Sequence, residues 1–242
     1  SRIWFRDLKI RIQRPRFGLS LKFQPKLNFF FDQNFDFALI GLIENKALKL
    51  ADRIKICYGL ACAVEWLHRN DVIHRDIKSA NVLVDDEMNG VLCDFSLIKF
   101  QEEKEEETGK GKKAKKAAKK KNKMMNEKFD GEAVGRITQE VGTPGYTAPE
   151  IAINFTDQYT NKVDVWSLGV TFLEAFQMKL LSDDMSDADA IKHIKQVRDK
   201  LGDKPVPKLL CSMLQEDPNN RASMREVFES PIFQGHNPPA EQ

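Results

Sequence analysis

Between residues 72 and 95 the chain reads VIHRDIKSANVLVDDEMNGVLCDF: an apolar pair, a polar loop, then two short strands joined through Asn89-Gly90. Asn-Gly is a strong hairpin signal because both residues tolerate positive φ. A hairpin at this point constrains its whole neighbourhood. Strand 81–84 runs out and strand 91–93 returns, so antiparallel pairing brings Asn81 and Asp94 to the same end of the sheet. Asp85 and Asp86, between the strands, read as a solvated turn.

An amide oxygen and a carboxylate that converge make a hard-oxygen site suited to Mg²⁺. Asp76 lies five residues before Asn81 on the same loop, near enough to share that site, and Lys78 between them can neutralise a phosphate. Metal ligands, a base for an incoming hydroxyl and a cation for developing charge are the parts that phosphoryl transfer needs.

The rest of the chain divides by pattern. Residues 1–36 mix basic and aromatic side chains, with alternation at 8–12 and 17–23 that reads as two short strands. Leu50, Ile54, Cys57, Leu60, Ala61, Val64 and Leu67 recur at helical spacing and predict a helix over about 50–68, stopped at Asn70-Asp71. Residues 101–130 are almost all charged and present no core face, which predicts a disordered Lys/Glu-rich insertion. From 140 to 235 the pattern is helical. Val163–Met178 is apolar nearly all round, as a helix buried in a domain centre must be. Residues 187–201 have one apolar face and end at Gly202. Ser223-x-x-Glu226 is a capping box for a last short helix closed by Pro231.

Composition adds bounds. The formal charge of +2 conceals a block: residues 102–123 hold five Glu and ten Lys, so the remainder is mildly acidic. Cys57, Cys62, Cys93 and Cys211 show no CxxC spacing and read as reduced core thiols of an intracellular protein. The longest apolar run, FDFALIGLI at 35–43, falls short of the ~18 residues of a membrane span. No signal peptide is evident, and a chain that starts at Ser1 reads as a fragment.

HRDIKSAN at 74–81, Asp94-Phe95, GTPGYTAPE at 142–150, DVWSLGV at 164–170 and Arg221 stand in the order of the eukaryotic protein kinase catalytic domain, which the chain resembles over roughly 44–233. Lys78 and the GTPGYTAPE segment are similar to the serine/threonine type. The resemblance implies an α+β fold: a mainly helical large lobe with short β-hairpins over 37–235, a truncated or replaced small lobe at 1–36, and a flexible tail at 236–242. No GxGxxG or VAIK-like segment is found, so the small lobe reads as incomplete.

The resemblance also implies roles. Asp76 accepts the proton of the substrate hydroxyl, Lys78 contacts the γ-phosphate, and Asn81 and Asp94 bind Mg²⁺. Thr143 bonds near Asp76 and helps form the shelf for a substrate peptide. Glu150 and Arg221 form a buried ion pair, and Asp164 braces the loop backbone. Arg75 points to control by a phosphate in the activation segment, with Thr138 as candidate phosphosite. His74 reads as a packing residue, Tyr146 and Trp166 as core or shelf. Ser96 stands where the family has glycine, and restricts positive φ just after Asp94.

The implied activity is transfer of the ATP γ-phosphoryl group to protein Ser/Thr hydroxyls, by a monomer with ATP and Mg²⁺ as cofactors. Two alternatives stay open: a catalytically impaired kinase-like scaffold, and a nuclear or nucleic-acid-associated adaptor acting through Lys-rich residues 110–123. The expected location is cytoplasmic, with the nucleus as the alternative.

Overall fold

A computed structural model describes residues 37–101, 142–153, 159–182 and 184–235. The expectations for 1–36, for the insertion beyond Gln101, for Thr138 and for the tail 236–242 lie outside the described residues. In chain order the elements are β1 (Phe37–Ala38), α1 (Leu39–Glu44), α2 (Leu50–Arg69), β2 (Val72–Ile73), a 3-10 turn (Ser79–Asn81), β3 (Val82–Val84), β4 (Gly90–Leu92) and β5 (Lys99–Phe100). After these come α3 (Pro149–Ala152), α4 (Lys162–Gln177), α5 (Asp187–Arg198), α6 (Pro205–Met213), α7 (Met224–Phe228) and a 3-10 turn at Pro231–Phe233. Among the described residues, no helix is long and apolar enough to cross a membrane.

Helices α2 and α4 form the centre. Of the repeat predicted over 50–68, Cys57, Leu60, Ala61, Val64 and Leu67 are buried on α2, joined by Ile56, whereas Ile54 is half-buried and Leu50, in the first turn, is exposed. The helix stops where predicted, because Asp71 turns into the left-handed region at φ 57°. Every residue of α4 from Val163 to Ala175 is buried, so the all-round apolar pattern meant what it predicted. Phe233 links the two helices, its ring 5.5 Å from that of Tyr58 on α2 and 6.3 Å from that of Phe172 on α4. Such edge-on pairs contribute about 0.5–1.5 kcal/mol beyond area burial. The capping box of α7 forms, with the Ser223 N–H donating to Glu226 at 2.7 Å. Helix α5 ends at Arg198, short of the expected Gly202, and Ser186 caps its start.

The strands form two small antiparallel sheets, β1-β3-β4 and β2-β5. In the first, Val82 pairs with Leu92, Leu83 with Val91 and Val84 with Gly90. The hairpin topology is as predicted, but its chemistry differs. Positive φ falls on Met88 (62°) rather than on Asn89 or Gly90. Asp85 is buried, not solvated, and organises the turn: its carboxylate accepts from the N–H groups of Glu87 (3.0 Å) and Asn89 (2.9 Å). Asp86 is exposed, as expected. Gly90 is needed for a different reason: β4 lies directly on α2, and a Cβ there would sit 2.6 Å from the Ile56 carbonyl oxygen. Gly59 faces it from the helix, where a Cβ would meet the Gly90 oxygen at 2.8 Å. The hairpin is thus seated backbone against backbone on the central helix.

Gly90→Ala should lower unfolding free energy by about 1–3 kcal/mol through overpacking. Gly41→Ala, in α1 with nothing within 4 Å of the new methyl, should raise it by roughly 0.5–1 kcal/mol. Denaturant unfolding of the two variants checks both signs.

Candidate active site

The loop 74–81 between β2 and β3 hangs on one buried carboxylate. Asp164, in the first turn of α4, is fully buried. Its Oδ2 accepts from the His74 N–H at 2.8 Å and lies 2.9 Å from His68 Nε2; its Oδ1 accepts from the Arg75 N–H at 2.9 Å. Burial acts to raise its pKa, but the His68 hydrogen bond, nearby imidazoles and the Arg75 N–H outweigh that, and the carboxyl is held below its ordinary value. Arg75 sits at φ 72°, in the left-handed region. Its guanidinium donates to the Leu97 carbonyl and to the Tyr159 hydroxyl (3.1 Å). His74 is fully buried, edge-on to Phe95 with ring centroids 5.0 Å apart, and burial lowers its pKa. It packs, as its pattern predicted, and its Nδ1 accepts from the Asp76 N–H at 3.3 Å.

That turn aims Asp76 into a set of four side chains. Its Oδ1 accepts from the Thr143 hydroxyl at 2.7 Å; its Oδ2 accepts from Asn81 Nδ2 at 2.8 Å and pairs with Lys78 Nζ at 3.1 Å. Lys78 also donates to the Thr143 hydroxyl at 2.6 Å, so that hydroxyl bridges lysine and carboxylate. A carboxylate offers roughly four lone-pair directions. Three are taken, and one on Oδ1 is left for an incoming hydroxyl.

Asn81 and Asp94 come to one end of the hairpin, since the Cys93 N–H donates to the Asn81 carbonyl at 2.9 Å and Asp94 follows directly. The side-chain nitrogen of Asn81 is committed to Asp76 and its carbonyl. The amide oxygen is therefore the atom available to a cation. Asp94 is exposed, and bonds from Ser96 act most strongly to hold its carboxyl below the ordinary range. The pair fits Mg²⁺, which takes one or two protein oxygens and completes its shell from water and phosphate. Among the described residues there is no cluster of three His, Cys, Asp or Glu that could hold a metal ion. The expected restriction at Ser96 does not arise. Positive φ falls on Asp94 itself (60°), and the Ser96 N–H donates to Asp94 Oδ1 at 3.2 Å.

Glu150 and Arg221 form the predicted ion pair, bidentate at 2.7 and 2.8 Å. All five guanidinium hydrogens find acceptors, the other three being the carbonyls of Gln215 (2.9 Å), Lys162 (2.8 Å) and Glu216 (3.2 Å). The guanidinium carbon lies 5.2 Å from the Trp166 ring centroid. This arrangement pins α3, and with it the 142–150 segment, to the start of α4 and to the loop that follows α6.

Sequence reasoning missed Ser167, Thr171 and Glu174. With Asp164 they recur at intervals of three, four and three along α4, which puts them on one stripe of an otherwise apolar helix. Ser167 donates to the Tyr146 carbonyl at 2.8 Å, Thr171 to the Ser167 carbonyl at 2.9 Å, and Glu174 receives Ser79 and Tyr146. The spacing was the available signal.

Residues 30–233 match the protein kinase domain family, and the chain belongs to it. The match begins ahead of residue 44, where the sequence resemblance started. Among similar proteins are "Probable serine/threonine-protein kinase CCRP1" of Zea mays, 29% identical over 86% of this chain, and "CBL-interacting protein kinase 2" of Oryza sativa subsp. japonica, 28% identical over 81%. "Mitogen-activated protein kinase spm1" of Schizosaccharomyces pombe is 26% identical over 76%. The chain spans 31%, 38% and 46% of those proteins' lengths, respectively.

Replacing Arg221 by Leu strands the buried Glu150 charge and should cost about 3–5 kcal/mol of stability, read from denaturant unfolding. Asp164 gives a pH signature. Unfolded, it titrates near 3.8; folded, it titrates lower. Its contribution is therefore complete above 3.8 and is lost as pH falls through the folded value. Asp164→Asn should lower stability at neutral pH and flatten the acid limb of a stability–pH curve.

Proposed function

We propose that this chain is a serine/threonine protein kinase that transfers the γ-phosphoryl group of ATP to a protein hydroxyl. The observation that carries the reading is the Asp76–Thr143–Lys78 triangle, because it joins the loop 74–81 to the 142–150 segment in one hydrogen-bonded set. The remaining lone pair of Asp76 Oδ1 accepts the hydrogen of the acceptor hydroxyl and orients its oxygen for attack. The acceptor oxygen–phosphorus bond forms as the bond between phosphorus and the β–γ bridging oxygen breaks. The electron pair leaves with ADP, and the acceptor proton passes to Asp76. Lys78 Nζ stands beside the attack position, where it offsets negative charge on the transferring group. Asn81 and Asp94 would hold Mg²⁺, which supplies charge neutralisation on the phosphates.

A non-catalytic scaffold is the second reading, favoured by the lack of a Gly-rich loop and a VAIK-like lysine in the sequence. ATP with Mg²⁺ should raise the melting temperature of the protein, and Asp94→Asn should remove most of that rise. Asp76→Asn should keep the shift and abolish phosphate transfer to a mixed Ser/Thr peptide library. An unshifted starting protein that transfers no phosphate would overturn the kinase reading in favour of the scaffold.

A further inference from the structure

One carboxylate reaches the 142–150 segment from α5. Asp187 is the first residue of that helix, and its Oδ1 accepts from the Gly145 N–H at 2.8 Å. An acidic residue in a first helical turn ordinarily serves the helix, by capping N–H groups or by meeting the positive end of the dipole. Here the neighbour does the capping: the Ser186 hydroxyl accepts from the Asp189 N–H at 3.2 Å and donates to Asp189 Oδ2 at 2.7 Å. The Asp187 carboxylate is turned off the helix, onto a backbone amide 42 residues earlier in the chain.

That amide sits at the centre of a turn. The Tyr146 N–H closes on the Thr143 carbonyl at 3.0 Å, with Pro144 and Gly145 between them. Proline fixes φ at roughly −65° in the second position, and Gly145 stands at φ 90° in the third. Together they mark a type II turn, whose type I alternative differs by a flip of the one peptide unit between them. The Gly145 N–H belongs to that unit. Glycine tolerates either sign of φ, so the residue type leaves the flip open and the hydrogen bond decides it. With the N–H toward Asp187, the Pro144 carbonyl of the same trans peptide points the opposite way. A flip would set that carbonyl oxygen against the carboxylate and take this partner from the N–H of a buried residue. Space does not demand glycine here: a methyl at 145 would lie 3.6 Å from Leu181 and 3.9 Å from Ala190, ordinary contact distances.

We infer that Asp187 is a positioning residue that selects the type II form of the 143–146 turn by holding its central peptide. The turn begins at Thr143, whose hydroxyl bridges Asp76 and Lys78, and ends at Tyr146, whose carbonyl and hydroxyl are held by α4. Flipping the unit between them disturbs the seat of the Thr143 hydroxyl and the shelf that an acceptor peptide meets, and leaves the Asn81–Asp94 end alone. The consequence for peptide phosphorylation rests on the proposed kinase reading; the selection of the turn does not.

The test uses the full chain with Asp187→Ala, Asp187→Asn, Ser186→Ala and Gly145→Ala, read first by amide hydrogen exchange. Asp187→Ala should speed exchange at position 145 roughly tenfold. Asp187→Asn, whose amide oxygen still accepts an N–H, should stay within about threefold of the starting protein. A role through charge at the helix end predicts the contrary, with Asn as poor as Ala. Ser186→Ala uncaps α5 without touching the bond and should leave exchange at 145 unchanged. Gly145→Ala, strained at positive φ, should match Asp187→Ala. Their double variant should be no worse than the poorer single one, as expected when both act through one peptide unit. With the mixed Ser/Thr peptide library as acceptor, Asp187→Ala and Gly145→Ala should each lose kcat/KM for peptide by roughly 10- to 100-fold, while the rise in melting temperature with ATP and Mg²⁺ stays as it was. Asp187→Asn failing like Asp187→Ala, Ser186→Ala reproducing that failure, or losses that multiply would each overturn the inference. The expected exchange pattern in a protein that transfers no phosphate would sustain the selection of the turn and count against the kinase reading alone. If Asp187→Ala does not fold, Gly145→Ala and Asp187→Asn still decide the matter: the first must loosen the turn and the second must not.

Discussion

The buried carboxylate of Asp164 accepts two consecutive backbone N–H groups, and the geometry of the site descends from that contact. Two donors from His74 and Arg75 on one carboxylate force a sharp turn, with Arg75 in the left-handed region. A non-glycine residue adopts that conformation at a cost, and the surrounding bonds must offset it. Here they do: the guanidinium of Arg75 is tied to Leu97 and Tyr159, and Asp164 is itself steadied by His68. The product of the turn is that Asp76 leaves the β2 strand end facing Asn81, Lys78 and Thr143 instead of the core.

Helix α4 can do this because it is buried on every side. A polar side chain on such a helix has no water to turn to, so it must find a protein partner. Three of the four members of its polar stripe do so in a segment far away in sequence: Asp164 in the loop 74–81, Ser167 at Tyr146, Glu174 at both Ser79 and Tyr146; Thr171 instead bonds back to the Ser167 carbonyl within the helix. The Glu150–Arg221 pair anchors the end of the shelf to the same helix through the Lys162 carbonyl. Apolar packing places the helix, and its few polar residues then place the loop 74–81 and the 142–150 segment, while the hairpin seated on α2 places Asp94.

Much of this was legible in the sequence, though not always for the right reason. The hairpin topology followed from the strand pattern and the Asn-Gly pair. Yet Gly90 is glycine because a strand backbone rests on Ile56, and the residue in positive φ is Met88. Ser96 looked like a restriction on the backbone; the strained residue is its neighbour Asp94, and the serine supports that carboxylate instead. Asp85 looked like surface and is buried, because its carboxylate satisfies turn N–H groups that the strands cannot. In each case the residue type was informative, and the missing fact was the nearest neighbour.

By itself the sequence determined helices α2, α4, α5 and α7, the hairpin and the list Asp76, Lys78, Asn81, Asp94, Thr143, Glu150, Asp164 and Arg221, because periodicity and ordered motifs are properties of the chain; α1 was not among them. Only the tertiary structure decided that Asp76, Lys78, Asn81 and Thr143 form one bonded set, that Glu150 meets Arg221, and that Ser79 and Tyr146 share the Glu174 carboxylate. Hydrogen bonds between residues 79 and 174, or 76 and 143, depend on how α2 and α4 pack. That packing is set by the summed burial of many side chains, and no local pattern carries it.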